Sequence, residues 1–373
     1  MNKNKFIGYR PTWAEVNLKN LAYNFNQIKR KVPGQVKVMA CVKADAYGHG
    51  LIPVAKKLAA SGVDYLSVAS IDEAIKLRQA RIMSPILVLG VVLKEDIAPL
   101  FRYDISQTIC SQELAIYLNN MGRREGRVIK VHIKIDTGMG RIGILYQDAL
   151  RFIEKVCRMK YINIEGIFTH FPCADTNRNF TIYQVEIFKR LISRLERKGI
   201  CVPLCHAANS LGIVNYENSH FNMVRPGIML YGLYPAPGLK ISLKPVMSLK
   251  TKVVYVKRVP KGWGISYGHT YVTPRDTYIA TLPIGYGDGY PRNLSNTGYV
   301  IIKGKLLKIS GVVCMDQIMV DVGDLKVKVG DEVVLIGSQG ENKITVENLS
   351  RLCGTIPYEI VCGLGSRIPR IYL

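Results

Sequence analysis

Short apolar segments rich in β-branched residues alternate with amphipathic segments along the first part of the chain. The apolar segments predict eight strands, at 36–42, 65–69, 86–90, 106–110, 128–136, 162–170, 202–208 and 222–228. The segments between them have helical periodicity; at 70–81, for example, Ser70 stands in N-cap position with Glu73 three residues later. This alternation predicts a parallel sheet with crossover helices.

Eight strand–helix units indicate a closed α/β barrel, a (β/α)8 TIM barrel. The amphipathic segment 18–32 precedes the first strand, so we expect it to fill the helical gap after the eighth strand. The linker chemistry that follows places the end of this first domain at residue 238. From 239 to 373 the pattern changes to alternating strands, turn-rich joints and one short helix at "TVENLSRLCG", which predicts a β-rich C-terminal domain.

The charge balance is strongly basic, with 51 Lys and Arg against 28 Asp and Glu, a formal net charge of +23. Such a balance is typical of proteins that bind nucleic acid or a membrane surface. The positive residues are spread through amphipathic segments, however, without a basic stripe interleaved with aromatic residues. We therefore interpret them as solvated faces and expect neither a nucleic-acid partner nor a membrane partner.

Cysteine usage and hydropathy indicate the cellular compartment. The nine cysteines have neither a CxxC pair nor zinc-like spacing, as expected of free thiols in a reducing compartment. The amino-terminal segment has no apolar core of a signal peptide, and "PILVLGVVL" is about half the length of a membrane span. We expect a cytoplasmic protein.

Charged residues stand at the ends of several predicted strands. Lys43 follows the first strand, Arg141 lies in the glycine-rich loop after the fifth, His170 ends the sixth and Arg225 lies in the eighth. Strand ends of this kind line the catalytic face of a parallel barrel. Burial there would lower the pKa of a lysine and make its amine a nucleophile toward an aldehyde. Taken alone, Lys43 fits equally well a lysine that extends its amine to solvent; the neighbouring strand ends favour a catalytic site.

A phosphate site is predicted at the ends of strands seven and eight. Ser210 would begin a short helix, and Gly227 and Ile228 would offer backbone amides. A serine N-cap and a turn glycine are the structural alternative for these residues. An aldehyde-reactive lysine combined with a phosphate site indicates pyridoxal 5'-phosphate as cofactor.

Seven segments in order along the chain are similar to the signature segments of the alanine racemase family: "VKADAYGHG", "KIDTGMGRIG", "HAANS", "RPGIMLYG", "GISYGHT", "PIGYGDGY" and "CMDQIMVDVGD". The resemblance spans nearly the whole chain. It implies a pyridoxal-phosphate enzyme with an N-terminal barrel and a C-terminal β domain. It also implies the interconversion of L- and D-alanine, which supplies D-alanine for bacterial cell-wall peptidoglycan.

The resemblance further implies a role for individual residues. Lys43 would bind the cofactor covalently and serve as one base, and Tyr267 would be the second base, since a racemase needs a proton carrier on each face of the substrate. A tyrosine phenol ordinarily has a pKa of about 10, so His170 and Arg225 are implied to favour its ionised form.

The remaining implied roles concern binding. Arg225 would also face the cofactor's ring nitrogen, while Arg141 and Met315 would bind the substrate carboxylate. The residues implied in binding the phosphate are Tyr47, Ser210, Gly227, Ile228 and Tyr358. Lys134 matches a position that is carbamylated in many members; an ordinary lysine paired with a carboxylate is the alternative.

The resemblance also implies a homodimer in which each active site pairs Lys43 of one chain with Tyr267 and Met315 of the other. Two other activities remain open. A racemase of the same family that prefers serine would share these residues, because a small pocket rejects an added hydroxyl poorly. A decarboxylase of the same architecture would share the cofactor-binding lysine but should carry a catalytic cysteine in place of "SYGHT".

Overall fold

Eight parallel strands close into a barrel, as the hydrophobic pattern predicts. The computed structural model describes residues 9–373, so residues 1–8 of the amino-terminal segment lie outside the described part. The barrel strands are Lys37–Cys41, Tyr65–Val68, Ile86–Val88, Ser106–Ile109, Ile129–Asp136, Ile162–Phe168, Leu204–His206 and Met223–Val224. Met223 pairs with Lys37 as well as with His206, which joins the last strand to the first and closes the barrel. A short strand, Ile144–Leu145, pairs in parallel with Ile135 and Asp136 at the end of the fifth.

Helices alternate with the barrel strands, and a side chain caps the first turn of several of them. They are Leu18–Lys31, Leu51–Ala60, Ile71–Gln79, Ala98–Arg102, Gln112–Glu125, Tyr146–Cys157, Arg178–Glu196 and Ser210–Asn215, with 3₁₀ turns at Lys94–Asp96, Glu217–Ser219 and Ile228–Tyr231. Ser70 accepts a hydrogen bond from the Glu73 amide, as the capping pattern predicts. Asn24 of the first helix donates to the Leu230 carbonyl at 3.0 Å, so this helix lies beside the segment that follows the eighth strand. Within residues 9–373, no helix is long and apolar enough to cross a bilayer.

The chain divides into two compact units: residues 21–46 with 51–243, and residues 9–20 with 47–50 and 244–373. The second unit is β-rich. Its largest sheet has the strand order Lys305–Lys308, Tyr299–Ile302, Glu332–Gln339, Met247–Lys252, Thr12–Val16, Arg370–Tyr372, with Asn342–Ile344 paired to Glu332–Gln339. A three-stranded sheet has the order Tyr255–Val259, Thr277–Leu282, Ile318–Gly323, and Gly264–Ile265 pairs with Tyr271–Val272.

The β-rich unit contains two α-helices, where the sequence pattern predicts one. Val346–Cys353 is the predicted helix, and Thr345 caps it. The second, Pro357–Gly363, has seven residues and begins with a proline. A helix this short shows fewer than two full periods of apolar spacing, so the hydrophobic pattern does not predict it. The unit also has 3₁₀ turns at Tyr267–His269, Tyr286–Asp288 and Arg292–Leu294.

Candidate active site

The carboxyl end of the barrel gathers four basic side chains around a histidine. Burial lowers the pKa of His170 well below its usual value, and the charges of Arg225, Lys134, Arg141 and Lys43 lower it further. His170 is therefore neutral at physiological pH. These four side chains come from three strands or the loops that follow them, and the charges of Arg225, Arg141 and Lys43 suit an anionic ligand.

Arg225 is buried, with 4% of its surface exposed, and its hydrogen bonds fix the guanidinium. Nη1 donates to His206 Nδ1 at 2.8 Å, and Nη2 donates to the Thr169 and Ala207 carbonyls at 2.6 and 2.9 Å. Nη2 also faces His170 Nδ1 at 3.4 Å. The two carbonyls take both hydrogens of Nη2, so its contact with His170 is a shared one. Because arginine has no acceptor atom, this contact favours the His170 tautomer that accepts through Nδ1 and carries its proton on Nε2.

At Nε, Arg225 keeps a donor that a ligand can use. Among the described residues, Nε makes no hydrogen bond and the guanidinium forms no salt bridge. A heteroaromatic nitrogen that accepts a hydrogen bond is the kind of group that this donor fits.

Lys134 lies inside the barrel, 1% exposed, with Nζ 3.3 Å from the Ile135 carbonyl and 5.2 Å from the centre of the Phe168 ring. Burial first, and then the charge of Arg225, lowers the pKa of its amine to about 7. Within residues 9–373 it forms no salt bridge, so the carboxylate-paired alternative is not observed. A buried amine that loses its proton near neutral pH is available for reaction.

The glycine-rich loop that carries Arg141 is organised by Asp136. Its Oδ1 accepts from the Gly138 and Met139 amides, both at 2.8 Å, and its Oδ2 accepts from Gly140 at 3.1 Å. Partial burial would raise the pKa of Asp136, but these three donors lower it below its usual value. The loop is thus held by an ionised carboxylate, while Arg141 is exposed beyond it.

The predicted phosphate residues of the barrel come together. Ser210 Oγ accepts from the Gly227 amide at 3.1 Å. Asn209, not Ser210, caps the helix that follows, accepting from Gly212 at 3.0 Å, so the serine N-cap alternative is wrong. Ile228 begins a 3₁₀ turn, and the amide of a first helical residue has no partner within its helix. A hydroxyl and backbone donors are suited to a phosphate.

The segment after Lys43 forms one left-handed helical turn. Ala44, Asp45, Ala46 and Tyr47 all have φ between 52 and 55°. Asp45 Oδ1 accepts from the Leu51 amide at 2.7 Å, which ties the turn to the next helix.

The end of this turn packs against the helix Pro357–Gly363. The rings of Tyr47 and Tyr358 lie 6.0 Å apart. A Cβ added to Gly48 would lie 2.2 Å from the Val361 carbonyl oxygen, so only glycine permits this approach. The two tyrosines predicted to bind phosphate are therefore neighbours.

Tyr267 and Met315 line one recess of the β-rich unit, with a volume of about 540 Å³. Their side chains are 72% and 53% exposed. Ser266, which precedes Tyr267, has φ 65° and donates to the Val312 carbonyl at 2.7 Å. The Met315 carbonyl accepts from Gly287 at 2.8 Å, whereas the Met315 amide makes no hydrogen bond among the described residues. This amide is available to a carboxylate.

Two polar residues in the barrel interior escaped the sequence analysis. His132 and Glu165 lie within strands, whereas the functional positions predicted from the sequence are at strand ends. A signal was present, since His132, Lys134 and Asp136 alternate along one strand and so point to the same side of it. Polar residues on the inner face of a barrel strand are uncommon enough to mark a hydrogen-bond network.

Comparisons with known proteins agree over both units. A family model described as alanine racemase, N-terminal domain, matches residues 16–235, and one described as alanine racemase, C-terminal domain, matches residues 246–372. Alanine racemase of Halothermothrix orenii is 50% identical over 367 residues, covering 97% of this chain and 97% of that protein. Alanine racemase of Carboxydothermus hydrogenoformans is 47% identical, covering 98% and 100%.

A solved structure gives the same result. Alanine racemase of Clostridium difficile 630 superposes with a TM-score of 0.93 at 41% identity, covering 98% of this chain and 96% of that chain. The match to the C-terminal model disfavours the decarboxylase alternative, because a decarboxylase should carry other motifs in its second domain, with a catalytic cysteine in place of "SYGHT".

Proposed function

Because the chain belongs to the alanine racemase family, we propose that it interconverts L- and D-alanine with pyridoxal 5'-phosphate as its bound cofactor. The observation that carries this proposal is the positive charge that Arg225, Arg141 and Lys43 place around neutral His170 at the mouth of the barrel. Both the cofactor phosphate and the carboxylate of an amino acid are anions, so this environment suits both.

The donor set fits the cofactor at each of its ends. Arg225 Nε is available to the ring nitrogen, and Lys43 at the first strand end supplies the amine for covalent attachment. The phosphate would be held by Ser210, Gly227 and Ile228 of the barrel, with Tyr47 and Tyr358 as hydroxyl donors. When bound, pyridoxal phosphate supplies the electron-withdrawing ring that acidifies the α-proton of the substrate.

Lys43 and Tyr267 would move that proton. Each serves one face of the substrate, because a single base would mostly return the proton to the face from which it came. His170 carries its proton on Nε2, so it can donate a hydrogen bond to the Tyr267 phenolate and stabilise it. Arg225 holds this tautomer in place.

Arg141 and Met315 would bind the substrate carboxylate. Arg141 offers a charged fork on a loop held by Asp136, and Met315 offers its backbone amide. These contacts recognise the part that all amino acids share. Discrimination between alanine and serine then depends on the space left for the side chain.

We further propose that the protein acts as a homodimer in the cytoplasm and supplies D-alanine for peptidoglycan. All nine cysteines are free thiols, which supports a reducing compartment. The exposure of Tyr267 and Met315 supports a dimer, because a catalytic residue of this kind is expected to be covered in the working enzyme.

The experiment uses the purified chain loaded with cofactor. We expect D-alanine to form from L-alanine, measured with a D-amino-acid oxidase, and more slowly D-serine from L-serine. Borohydride reduction followed by peptide mapping should place the pyridoxyl group on Lys43. A label on another lysine, or no conversion of either amino acid, would contradict the proposal.

A further inference from the structure

A chain of hydrogen bonds crosses the barrel interior from Arg225 to Glu165. Arg225 Nη1 lies 2.8 Å from His206 Nδ1, and His206 Nε2 lies 2.9 Å from His132 Nδ1. His132 Nε2 lies 3.2 Å from Glu165 Oε2. Both imidazoles are fully buried. A cation and an anion are thus connected through two histidines.

The groups at the two ends of this hydrogen-bond chain determine which atom donates and which accepts in each of its bonds. Arginine only donates, so His206 Nδ1 accepts and His206 carries its proton on Nε2. That proton can only be donated to His132 Nδ1, so His132 in turn carries its proton on Nε2 and donates it to the Glu165 carboxylate. Each ring is neutral in this arrangement. Burial lowers the pKa of both imidazoles, with Arg225 lowering that of His206 further.

Glu165 is anchored at the opposite end of the barrel from Arg225. Tyr65 Oη donates to its Oε1 at 2.6 Å and Ser106 Oγ donates to its Oε2 at 2.7 Å, and both donors are the first residues of their strands. Burial would raise the pKa of Glu165, but these hydrogen bonds and the one from His132 lower it to about 2. Its side chain is 16% exposed and lines a recess of about 380 Å³ at the amino end of the barrel.

Arg225 needs such a partner. A buried guanidinium is costly unless its charge is compensated, and Arg225 forms no salt bridge among residues 9–373. The Glu165 carboxylate, at the far end of the hydrogen-bond chain, is the anion to which Arg225 is connected. The two imidazoles between them are polarised by their hydrogen bonds, so the negative charge of Glu165 partly offsets the positive charge of Arg225.

The strand carrying Glu165 is also shaped for His132. A Cβ added to Gly166 would lie 2.4 Å from His132 Nδ1 and 2.9 Å from the Leu204 carbonyl. Glycine at this position therefore leaves the space in which the imidazole reaches His206. Besides its polar atoms, the chain of hydrogen bonds therefore requires a glycine at position 166.

We infer that Glu165 is a positioning residue, which acts through the fixed tautomers of His132 and His206 to hold Arg225 in the orientation that leaves Nε for a ligand. The effect of Glu165 on the reaction rests on the proposed function. The proton positions of His132 and His206 do not depend on that function. Without an acceptor at position 165, either the His132 Nε2 proton is buried unpaired or both rings reverse, and reversal sets a His206 Nδ1 proton against Arg225.

The test is ¹⁵N NMR of the full-length protein labelled in its six histidines, with and without cofactor. In the wild type, both rings should carry their proton on Nε2 at neutral pH. Glu165→Leu should produce a second tautomer of His132 or His206. Glu165→Gln, whose amide oxygen can accept, should keep both tautomers. Asn163→Leu, on the same strand and lining the same recess, is the matched control and should leave both unchanged.

Kinetics provide the second readout. Glu165→Leu should lower kcat for alanine about tenfold at unchanged KM, with most of the loss recovered in Glu165→Gln, the order of effect expected when the carboxylate partner of a functional histidine is removed. A proton on Nδ1 of either ring in the wild type overturns the inference, and this measurement needs no variant to fold. Unchanged tautomers in Glu165→Leu overturn it as well. A wild type that does not racemise alanine refutes the proposed function and leaves the tautomer result standing.

Discussion

An arginine side chain can only donate hydrogen bonds, so it determines which ring nitrogen of a neighbouring neutral histidine carries the proton. Arg225 donates to Nδ1 of His206, so His206 holds its proton on Nε2, and its longer contact with Nδ1 of His170 favours the same tautomer there. On the His170 side this produces a donor for a phenolate, and on the His206 side it starts the chain to Glu165. One guanidinium therefore sets the hydrogen-bond direction of two paths.

Tyr267→Phe removes only the phenol, and we expect it to lower racemisation by about 10²- to 10⁴-fold, the usual contribution of an acid–base group. Cofactor binding should persist. Exchange of solvent deuterium into L-alanine should be lost, while exchange into D-alanine, which we assign to Lys43, should continue. Tyr278→Phe, an exposed tyrosine of the same unit, is the control. Equal loss of exchange from both enantiomers would contradict the assignment of faces.

Lys134 should form a carbamate with carbon dioxide. Only the neutral amine reacts, releasing a proton, so the carbamate should increase as the pH rises through about 7, the value to which burial and Arg225 lower the pKa of this amine. The product anion would lie near Arg225 and Arg141, which favours it. With ¹³C-labelled bicarbonate, a carbamate resonance is expected.

Two variants decide the assignment of that resonance. Lys134→Met should abolish it. Lys130→Met should retain it, because Lys130 lies on the same strand but has a half-exposed side chain that is paired with Asp104 at 3.2 Å. A resonance that survives in Lys134→Met, or one that does not respond to pH, would show that the carbamate forms elsewhere or not at all.

Residues at strand ends were predictable, and those in mid-strand were not. The end of a strand in a parallel barrel is a known functional position, so Lys43, His170 and Arg225 could be placed by counting strands. His132 and Glu165 lie where a barrel usually has apolar packing, and their partners come from other strands far along the chain. Their pairing depends on the register of the closed barrel, which the sequence pattern does not specify.

The left-handed turn at 44–47 is not predicted by the backbone preferences of its residues. Each non-glycine residue in this conformation costs about 1 kcal/mol, and four occur in succession. Hydrogen bonds from outside the turn offset that cost: Asp45 accepts from Leu51, and the Asp45 amide donates to Glu73. Tertiary contacts of this kind are not visible in a local sequence window. Strain beside Lys43 is consistent with a functional position.

Gly48→Ala should destabilise the protein by about 2 to 4 kcal/mol. Its φ of 74° is strained for alanine, and the new Cβ would lie 2.2 Å from the Val361 carbonyl, so the backbone must shift. Gly62→Ala is the matched control, because Gly62 has φ 80° but open space around it, and it should cost about 1 kcal/mol. Urea unfolding measures both. An equal loss in the two variants would show that the contact with Val361 contributes nothing.

The exposure of Tyr267 in the single chain bears on how the protein assembles. It is 72% exposed, in a recess that Met315 shares, although the proposed function makes it a base. A water-filled recess is a poor place for a stabilised phenolate, because catalytic charges act best where water is excluded. A second chain that covers the recess with its barrel would supply Lys43, His170 and Arg225 there. A two-fold symmetric dimer would form two such sites.

Mixing two inactive variants tests this arrangement. Lys43→Ala and Tyr267→Ala proteins that exchange subunits should form mixed dimers as about half of the population. In each mixed dimer one site has both defects, and the other combines Lys43 of one chain with Tyr267 of the other and is intact. Activity should therefore recover to roughly one quarter of the wild-type value. Mixing each variant with itself is the control. If differently tagged subunits demonstrably exchange and activity stays at the level of the separate variants, both bases belong to one chain.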